Sequence, residues 1–282
     1  MKINLFDTNA LIGHGNTHFN MHWPVPGIEY VREMDWDGIT VFTDEMCFSP
    51  IVDEVKSKFK IAWAVESPVI KPHVYANIRA VEDKFDYVYI SNPEAYGNPE
   101  KYKQCYFGAC WIPESHCKIY EKTKLLSIVA SNKTFAPGHQ LRHELITRKM
   151  HPELELWGSG YKWFEDDPDG RVSPFKDYRY VIVAENCQYP GYFTDKIIDC
   201  FAAGCIPIYW GNPLMGKLFD PKGFYQWNTL EELQVILDNI SDEDYDSKEE
   251  AIKENYGRFR EFASPDRWML ENCYKNILDI EV

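Results

Sequence analysis

The chemically informative side chains are carboxylates and cations placed where apolar strands end or helices begin. Glu66 directly follows the apolar run 61–65 and precedes Ser67-Pro68, so a carboxylate stands at the carboxyl end of a predicted strand. Ligands of open α/β sheets bind at that edge. Glu66 could therefore take a proton from a substrate hydroxyl as a general base. The alternative is that Glu66 caps a helix or pairs with Lys71.

The segment 178–213 changes structure type several times within a short distance. It begins with an apolar strand pattern at 180–184, passes through a loop rich in Gly, Pro and Tyr, and continues into a helix with Thr194 as its N-cap. The helix is expected to stop at Gly204, and a second apolar strand follows at 206–210. A unit of strand, loop, helix and strand presents a ligand site at the carboxyl ends of parallel strands.

Lys196 is unusual because it lies in the first turn of that predicted helix. The helix dipole disfavours a cation there by up to about 1 kcal/mol. The placement makes sense if an anion such as a diphosphate binds at the same helix end. The other explanation is an ion pair with Asp195 or with Asp199, and the residues alone leave both explanations open.

The segment resembles the donor-binding signature of the α1,3/α1,4-fucosyltransferases, the family that transfers fucose from GDP-fucose. The residues that carry the resemblance are Ala184-Glu185-Asn186, the stretch 192–196 and the stretch 204–213. Two positions depart from the family pattern. Asp195 stands where the family usually has Glu, and Ala184 stands where it has an aromatic residue.

The resemblance implies a role for two residues outside this segment. Glu66, in an E-S-P element, would be the general base. Arg142, downstream of a predicted strand that ends in Ser131-Asn132, would contact the phosphates together with Lys196. A planar guanidinium suits a diphosphate because it gives bidentate hydrogen bonds. The alternative for Arg142 is a surface position with Glu144 or Glu153 as its partner.

Further roles within the segment also follow from the resemblance. Asn186 and Tyr192 would hydrogen-bond the phosphates or the sugar of the donor. Asp195 would hold the ribose hydroxyls, either directly after a small shift or through a bridging water, or else the contact is lost and donor choice changes. Glu185 would accept a hydrogen bond from the fucose or, equally, from the protein scaffold.

The elements that must position these residues alternate between strands and helices, which predicts an α/β fold with mostly parallel sheets. Strands are predicted near 2–6, 39–43, 60–65, 87–91, 105–112, 124–130, 154–158, 180–184, 206–210 and 224–227. Helices are predicted near 28–34, 51–59, 74–84, 139–150, 231–240, 244–262 and 268–280, besides the one that follows Thr194.

The pattern falls into two halves, and the resemblance implies a GT-B type fold for them. GT-B consists of two Rossmann-like domains with the active site in the cleft between them. The predicted domains are an N-terminal, acceptor-side domain at 1–118 and a C-terminal domain at 119–265 that binds GDP-fucose. A terminal helix at 266–282 is predicted to pack back on the N-terminal domain.

Composition and net charge limit the binding partners and the cellular compartment to be expected. The 282 residues carry a net charge of −14, which disfavours nucleic acid and anionic membranes as partners. The chain begins MKINLFDTNA, with no signal-peptide pattern, and has no apolar run long enough for a transmembrane segment. The eight cysteines lack a C-x-x-C pair and are expected to be reduced thiols. We therefore expect a soluble, cytoplasmic enzyme of microbial or viral type.

Metal-binding patterns are weak in this sequence. Asp35 with Asp37, and Asp167 with Asp169, each match D-x-D, the metal-diphosphate motif of another glycosyltransferase fold, but neither pair follows a clear apolar strand. His14, His18 and His22 have helical spacing, although neighbouring Gly and Pro residues oppose a helix. We expect no metal and no cofactor.

The leading hypothesis is an inverting, metal-independent fucosyltransferase that uses GDP-fucose and an acceptor glycan, with GlcNAc or a glucose-like residue at the acceptor position. A second hypothesis keeps the fold and the reaction with another nucleotide-sugar donor, because of Asp195 and Ala184. A third is a non-catalytic carbohydrate-binding protein on the same scaffold. The sequence specifies neither the acceptor nor the oligomeric state.

Overall fold

The structure, a computed structural model, describes residues 1–7, 19, 22–164 and 169–279. The chain forms two compact units. Unit 1 consists of Met1–Phe107, Tyr189–Tyr192 and Ser264–Val282, and unit 2 consists of Gly108–Gln188 and Phe193–Ala263. The boundaries between the units lie at 107/108 and 263/264. The boundaries predicted from the sequence are 118/119 and 265/266. The short stretch Tyr189–Tyr192 joins unit 1 from within the second half of the chain.

Unit 1 is built on a six-stranded sheet in the order β2-β1-β3-β4-β5-β6, with every neighbouring pair parallel. Its strands are β1 (Lys2–Phe6), β2 (Glu29–Val31), β3 (Asp35–Thr43), β4 (Lys56–Trp63), β5 (Tyr87–Ile90) and β6 (Tyr102–Gln104). The central strands β3 and β4 end side by side, because Thr43 lies opposite Trp63 in the register.

Unit 2 is built on a five-stranded parallel sheet in the order β11-β10-β9-β7-β8. Its strands are β7 (Lys124–Val129), β8 (Leu154–Trp157), β9 (Tyr178–Ala184), β10 (Ile206–Trp210) and β11 (Tyr225–Gln226). The central strand β9 is buried along almost its whole length, as expected for a parallel strand covered on both faces.

The helices connect these strands in the manner of Rossmann-like units. Unit 1 contains α1 (Ile51–Glu54), α2 (Pro72–Asn77), α9 (Pro265–Met269) and α10 (Lys275–Asp279). Unit 2 contains α3 (Pro137–Arg148), α4 (Ser173–Lys176), α5 (Asp195–Ala202), α6 (Leu230–Leu237), α7 (Asp242–Asp246) and α8 (Glu249–Arg258). The predicted α/β class with parallel sheets is confirmed.

Each unit has its own apolar core. In unit 1, Phe42, Ala62 and Val88 from neighbouring strands pack with Val74 and Ile78 from α2 and the turn that follows it. In unit 2, the core is formed by branched residues of the central strands and by apolar residues of α6. Its fully buried members include Ile128, Ile182, Ile206, Ile208, Leu233 and Leu237.

Three predicted elements of unit 1 and its border differ in the structure. The stretch 28–34 is not a helix, because Glu29–Val31 pairs with β1 as an edge strand. The predicted helix 51–59 ends at Glu54, where the chain turns into β4. The stretch 105–112 forms no strand: the backbone N–H groups of Trp111 and Ile112 donate to Asp199 at 2.8 and 3.4 Å instead. In all three places tertiary contacts override local propensity.

The long predicted helices are broken into shorter pieces. The predicted helix 244–262 corresponds to the end of α7, which begins at Asp242, and to α8, and the C-terminal helical region begins at Pro265. Among the helices of the described residues, none is long and apolar enough to cross a membrane.

Candidate functional site

Glu185, the first residue after β9, is the centre of the arrangement in unit 2. It has no exposed surface. Its two carboxylate oxygens accept hydrogen bonds from the backbone N–H and the hydroxyl of Thr194, both at 2.9 Å. The ammonium group of Lys196 lies 3.2 Å from the same carboxylate. A buried carboxylate needs such partners, so Glu185 serves the scaffold that carries Lys196.

The start of α5 is organised around Thr194. As predicted, Thr194 is the N-cap, and its hydroxyl oxygen accepts from the backbone N–H of Lys196. The ammonium group of Lys196 lies 2.9 Å from that hydroxyl. Burial lowers the pKa of Lys196, whereas the negative charges of Glu185 and Asp195 raise it. The charges outweigh burial, so the pKa of Lys196 lies above its usual value. Lys196 is therefore a fixed, permanently charged cation in the first turn of a helix.

Arg142 lies in α3 and reaches the end of the same strand. The guanidinium is almost completely buried, and its Nη1 donates to the carbonyl of Ala184, the last residue of β9. The predicted alternative, a surface position beside Glu144, does not fit this burial. The sequence-predicted phosphate contacts Arg142 and Lys196 thus both come from elements that meet at the carboxyl end of β9.

The N-terminus of α3 approaches the end of β9 unusually closely. The backbone N–H of Gly138 donates to the carbonyl of Asn186 at 3.0 Å. A Cβ atom added at Gly138 would lie 1.6 Å from the carbonyl oxygen of Glu185. Only glycine fits here, so Gly138 is what permits Arg142 to lie so near β9.

The pKa of His139 reflects the positive charges around it. Its Nδ1 accepts from the backbone N–H of Ala136 at 3.2 Å, which caps the helix start. Burial, followed by the positive charges of Arg142, Lys133 and Lys196, lowers the pKa of His139 to about 4. These side chains create a positive region within a protein whose net charge is −14. Such a region can bind an anion that the whole molecule would repel.

Asn186 and Tyr192 differ in their availability. Asn186 is half-buried, and its side-chain amide makes no hydrogen bond with the described residues. Tyr192 is 3% exposed, and its backbone N–H donates to the carbonyl of Tyr189 at 3.1 Å. Tyr192 belongs to unit 1, whereas Asn186 belongs to unit 2.

Asp195 is held by a residue that the sequence analysis did not single out. One of its carboxylate oxygens lies 3.1 Å from the guanidinium of Arg171, which also lies 3.7 Å from Asp199. The Arg171 guanidinium lies 4.6 Å from the centre of the Phe164 ring, a cation–π distance. Burial raises the pKa of Asp199 to about 7, although the charge of Arg171 lowers it.

A small cavity of about 30 Å³ lies beside this ion-pair cluster and the first turn of α5. Half of its apolar lining residues come from β9, and its polar groups are Arg171, Asp195, Lys196 and Asp199. A polar cavity of this size can hold a water molecule.

Glu66 lies in unit 1, beyond the end of β4 and half-buried. Within the described residues its carboxylate makes neither a hydrogen bond nor an ion pair. Lys71, the partner that the alternative explanation gave to Glu66, instead lies 2.6 Å from Glu45. Among the described residues, the Glu66 carboxylate is thus not taken up by the partner that the alternative explanation named.

The weak metal patterns do not gather into a site within the described residues. Asp35 lies 3.6 Å from Lys56, and Asp169 pairs with Lys176. Asp167, His14 and His18 lie outside the described residues, so the structure does not address them. Among the described residues no group of three or more His, Cys, Asp or Glu side chains could hold a metal ion.

Sequence reasoning missed Arg171, Gly138 and Asp44. Arg171 lies in a polar stretch without periodicity, and Gly138 follows a proline in what reads as a loop. Asp44 directly follows β3 just as Glu66 follows the apolar run of β4, so the rule that located Glu66 could have found it.

Comparison with known proteins places this geometry in a family. Residues 119–263 match the family model described as glycosyltransferase family 10 (fucosyltransferase), C-terminal part. The matched region contains every predicted donor-site residue, and it does not contain Glu66. The alpha-(1,3)-fucosyltransferase FucT of Helicobacter pylori is 40% identical over 63 residues, which are 22% of this chain and 13% of that protein. The alignment thus spans only a small part of that relative.

Solved structures agree with this placement at the level of the fold. An α1,3-fucosyltransferase crystallised with GDP-fucose is similar over 96% of this chain and 90% of its own, with 16% identity and a TM-score of 0.56. An α-glucosyltransferase in complex with UDP and a mismatched DNA 13-mer is similar over 99% of both chains, with 9% identity and a TM-score of 0.57. The fold is therefore GT-B, with two parallel-sheet α/β domains, and on the match at 119–263 the chain belongs to glycosyltransferase family 10.

Proposed function

We propose that this protein transfers fucose from GDP-fucose to a hydroxyl group of an acceptor glycan, with inversion at the anomeric carbon, α1,3 linkage and no requirement for a metal ion. The family supports fucosyl transfer, and one α1,3-fucosyltransferase of similar fold was crystallised with GDP-fucose. The site chemistry described above supports a nucleoside diphosphate as one half of the donor.

The observation that carries the proposal is the pair of cations at the carboxyl end of β9. Arg142 is anchored to the Ala184 carbonyl, and Lys196 is anchored to Glu185 and Thr194. Both are held by groups of the protein itself, so they need little reorganisation when negative charge develops on a departing diphosphate. Preorganised cations of this kind can replace a metal ion in stabilising a leaving group.

We assign the activation of the acceptor hydroxyl to Glu66. Its carboxylate accepts the proton of the acceptor hydroxyl as the acceptor oxygen bonds to the anomeric carbon of fucose. The bond between that carbon and the diphosphate oxygen breaks, and its electron pair leaves with GDP. Asn186 and Tyr192 are assigned to the donor as well, through hydrogen bonds to its phosphates or sugar.

Asp195 is the reason to consider a second nucleotide-sugar donor. Its contact with Arg171 uses one carboxylate oxygen, Oδ2. The other oxygen is assigned to a ribose hydroxyl, which would preserve recognition of GDP-fucose. The alternative is that the Arg171 contact draws Asp195 away from the ribose and favours another nucleotide-sugar. A glucosyltransferase of similar fold was crystallised with UDP, which supports considering this alternative.

A donor panel distinguishes these possibilities. The protein is incubated with N-acetyllactosamine or N-acetylglucosamine and with GDP-fucose, GDP-mannose or UDP-glucose, and the product is identified by mass spectrometry and NMR. We expect transfer from GDP-fucose alone, with unchanged activity in EDTA. Transfer from UDP-glucose alone would establish the second donor, and binding of the glycan without any transfer would favour a carbohydrate-binding protein. Loss of activity in EDTA and rescue by Mn²⁺ would overturn the metal-free mechanism.

A further inference from the structure

The backbone of Glu66 is held on both sides by side chains from other parts of unit 1. Asp44 Oδ1 accepts from the backbone N–H groups of Val65 and Glu66, at 2.9 and 3.3 Å. On the other side, the hydroxyl of Tyr75 donates to the carbonyl of Glu66 at 2.8 Å. The peptide groups are therefore fixed while the Glu66 carboxylate stays free of protein partners among the described residues.

Asp44 is an unfavourable residue for a purely structural task. It has no exposed surface, and its φ of 44° lies in the left-handed region, which side chains other than glycine adopt uncommonly and Asp and Asn more readily than most. Its second oxygen, Oδ2, is buried with no hydrogen-bond partner among the described residues. Burial raises its pKa to about 7, although the two backbone hydrogen bonds lower it. Strained, incompletely satisfied buried groups occur mainly where function requires them.

The lysine that follows Glu66 in the chain pairs with another carboxylate. Glu45, the neighbour of Asp44, pairs with Lys71 at 2.6 Å. Two further buried oxygens close to Asp44 and Glu66 in the chain, Thr43 Oγ1 and Ser67 Oγ, also have no hydrogen-bond partner among the described residues. The side chains that hold the Glu66 backbone, within the part of the chain that the structure describes, are thus those of Asp44 and Tyr75.

We propose that Asp44 is a positioning residue for Glu66: by accepting from two successive backbone N–H groups, it fixes the segment that aims the Glu66 carboxylate at the acceptor hydroxyl. This inference rests on the proposed function, in which Glu66 is the base. A base displaced by about 1 Å can lose a factor of about 10² in rate, so fixing this backbone has a direct catalytic consequence.

The positive φ of Asp44 guides the choice of variants. Asp44→Gly removes the carboxylate and also suits the left-handed backbone, so it avoids the strain that alanine would add. Asp44→Asn keeps an acceptor oxygen for the two N–H groups, and Asn tolerates this backbone region. Glu45→Gln is the matched control, because it removes a neighbouring carboxylate, one that lies 2.6 Å from the ammonium group of Lys71.

The test is a double-mutant cycle with Glu66→Gln, assayed with GDP-fucose and N-acetyllactosamine. We expect Asp44→Gly to lower kcat about 10- to 100-fold, with the KM for GDP-fucose within about twofold of the wild type. Asp44→Asn and Glu45→Gln should stay within about threefold of the wild-type kcat. In the Glu66→Gln background, Asp44→Gly should lower kcat no further, because positioning matters only while a base is present.

Three results would overturn the inference. A folded Asp44→Gly protein with normal kcat would show that the anchor is dispensable. An equal loss in the wild-type and Glu66→Gln backgrounds would show that Asp44 acts independently of Glu66, and this result would leave the proposed function intact. A normal kcat for Glu66→Gln itself would remove the base assignment and the positioning role with it. If Asp44→Gly does not fold, the Asp44→Asn protein decides, since a 10-fold loss there contradicts the acceptor role.

Discussion

The ammonium group of Lys196 lies 3.2 Å from the carboxylate of Glu185, a side chain with no exposed surface. The same carboxylate accepts two hydrogen bonds from Thr194, the N-cap of α5. One buried residue at the end of β9 thus holds both the start of the helix and the cation in its first turn. The helix dipole alone would disfavour that cation, and Glu185 compensates for it.

The first prediction concerns the two cations. Lys196→Ala and Arg142→Ala should each lower the rate of fucose transfer about 10²–10³-fold, by analogy with loss of one donor from a preorganised anion site. The affinity for GDP, measured by calorimetry, should fall as well. Lys222→Ala, at an exposed lysine of unit 2, is the control and should leave both quantities unchanged. Near-normal rate and GDP affinity in both variants would show that the diphosphate site lies elsewhere.

The second prediction separates support from contact at Glu185. Glu185→Gln should lower the free energy of unfolding by about 1–3 kcal/mol, because buried charged hydrogen bonds are lost. It should also weaken GDP binding about tenfold, or about 1.4 kcal/mol, since Lys196 loses its anchor. Glu155→Gln neutralises a half-exposed carboxylate that pairs with Lys124 and accepts a hydrogen bond from Tyr178; it should leave GDP binding unchanged. Unaltered stability in Glu185→Gln would contradict the scaffold role.

The third prediction concerns the close approach of α3 to β9. A Cβ atom at residue 138 would lie 1.6 Å from the Glu185 carbonyl oxygen, so Gly138→Ala must push the helix away from the strand. We expect a loss of at least about 1–3 kcal/mol in unfolding free energy, together with weaker GDP binding. Gly257→Ala is the control: it lies in α8 with no atom within 4 Å of the added Cβ. It should be neutral or stabilising by up to about 1 kcal/mol, as thermal or urea denaturation will show.

The strand β9 and the helix α5 could be predicted from the sequence. Strong apolar runs and a Thr N-cap made this unit predictable, and the confirmed strands at 178–184 and 206–210 follow from local pattern. The stretch Glu29–Val31 was predicted as a helix and is a strand, because its pairing with β1 is non-local. Short edge strands of this kind carry too little periodicity to be recognised.

The site was only partly predictable for the same reason. Lys196 and Arg142 could be identified from a motif and from their positions beside strand ends. The partner of Lys196 could not be identified in this way. The chain turns back between β9 and α5, and this turn brings Glu185 and Lys196 together. Arg171 approaches Asp195 from a polar loop whose path no pattern in the sequence indicates.

The fourth prediction concerns the pH dependence of stability at Asp44. Burial raises its pKa to about 7 in the folded protein, against about 3.9 for an unperturbed Asp. A raised pKa means that the folded state favours the protonated form. Wild type should therefore lose stability relative to Asp44→Asn as the pH rises from about 4 to about 7, by at most about 1.4 kcal/mol per pH unit.

The groups around Asp44 support this sign. The charges of Glu66 and Glu45 raise the pKa of Asp44 further, while the hydrogen bonds from Val65 and Glu66 lower it. Burial raises the pKa values of Cys47 and Tyr75, so neither ionises in this window. Urea denaturation of both proteins at several pH values measures the difference. A difference that is constant with pH, or that favours wild type at higher pH, would contradict the assignment.

The central claim is that Glu66 takes the proton of the acceptor, and Glu66→Gln tests it most directly. The substitution keeps the shape of the side chain and removes its ability to accept a proton. Transfer from GDP-fucose to N-acetyllactosamine should fall about 10²–10⁴-fold, while GDP affinity and melting temperature stay close to the wild-type values. A stable Glu66→Gln protein that transfers fucose at close to the normal rate would contradict the account.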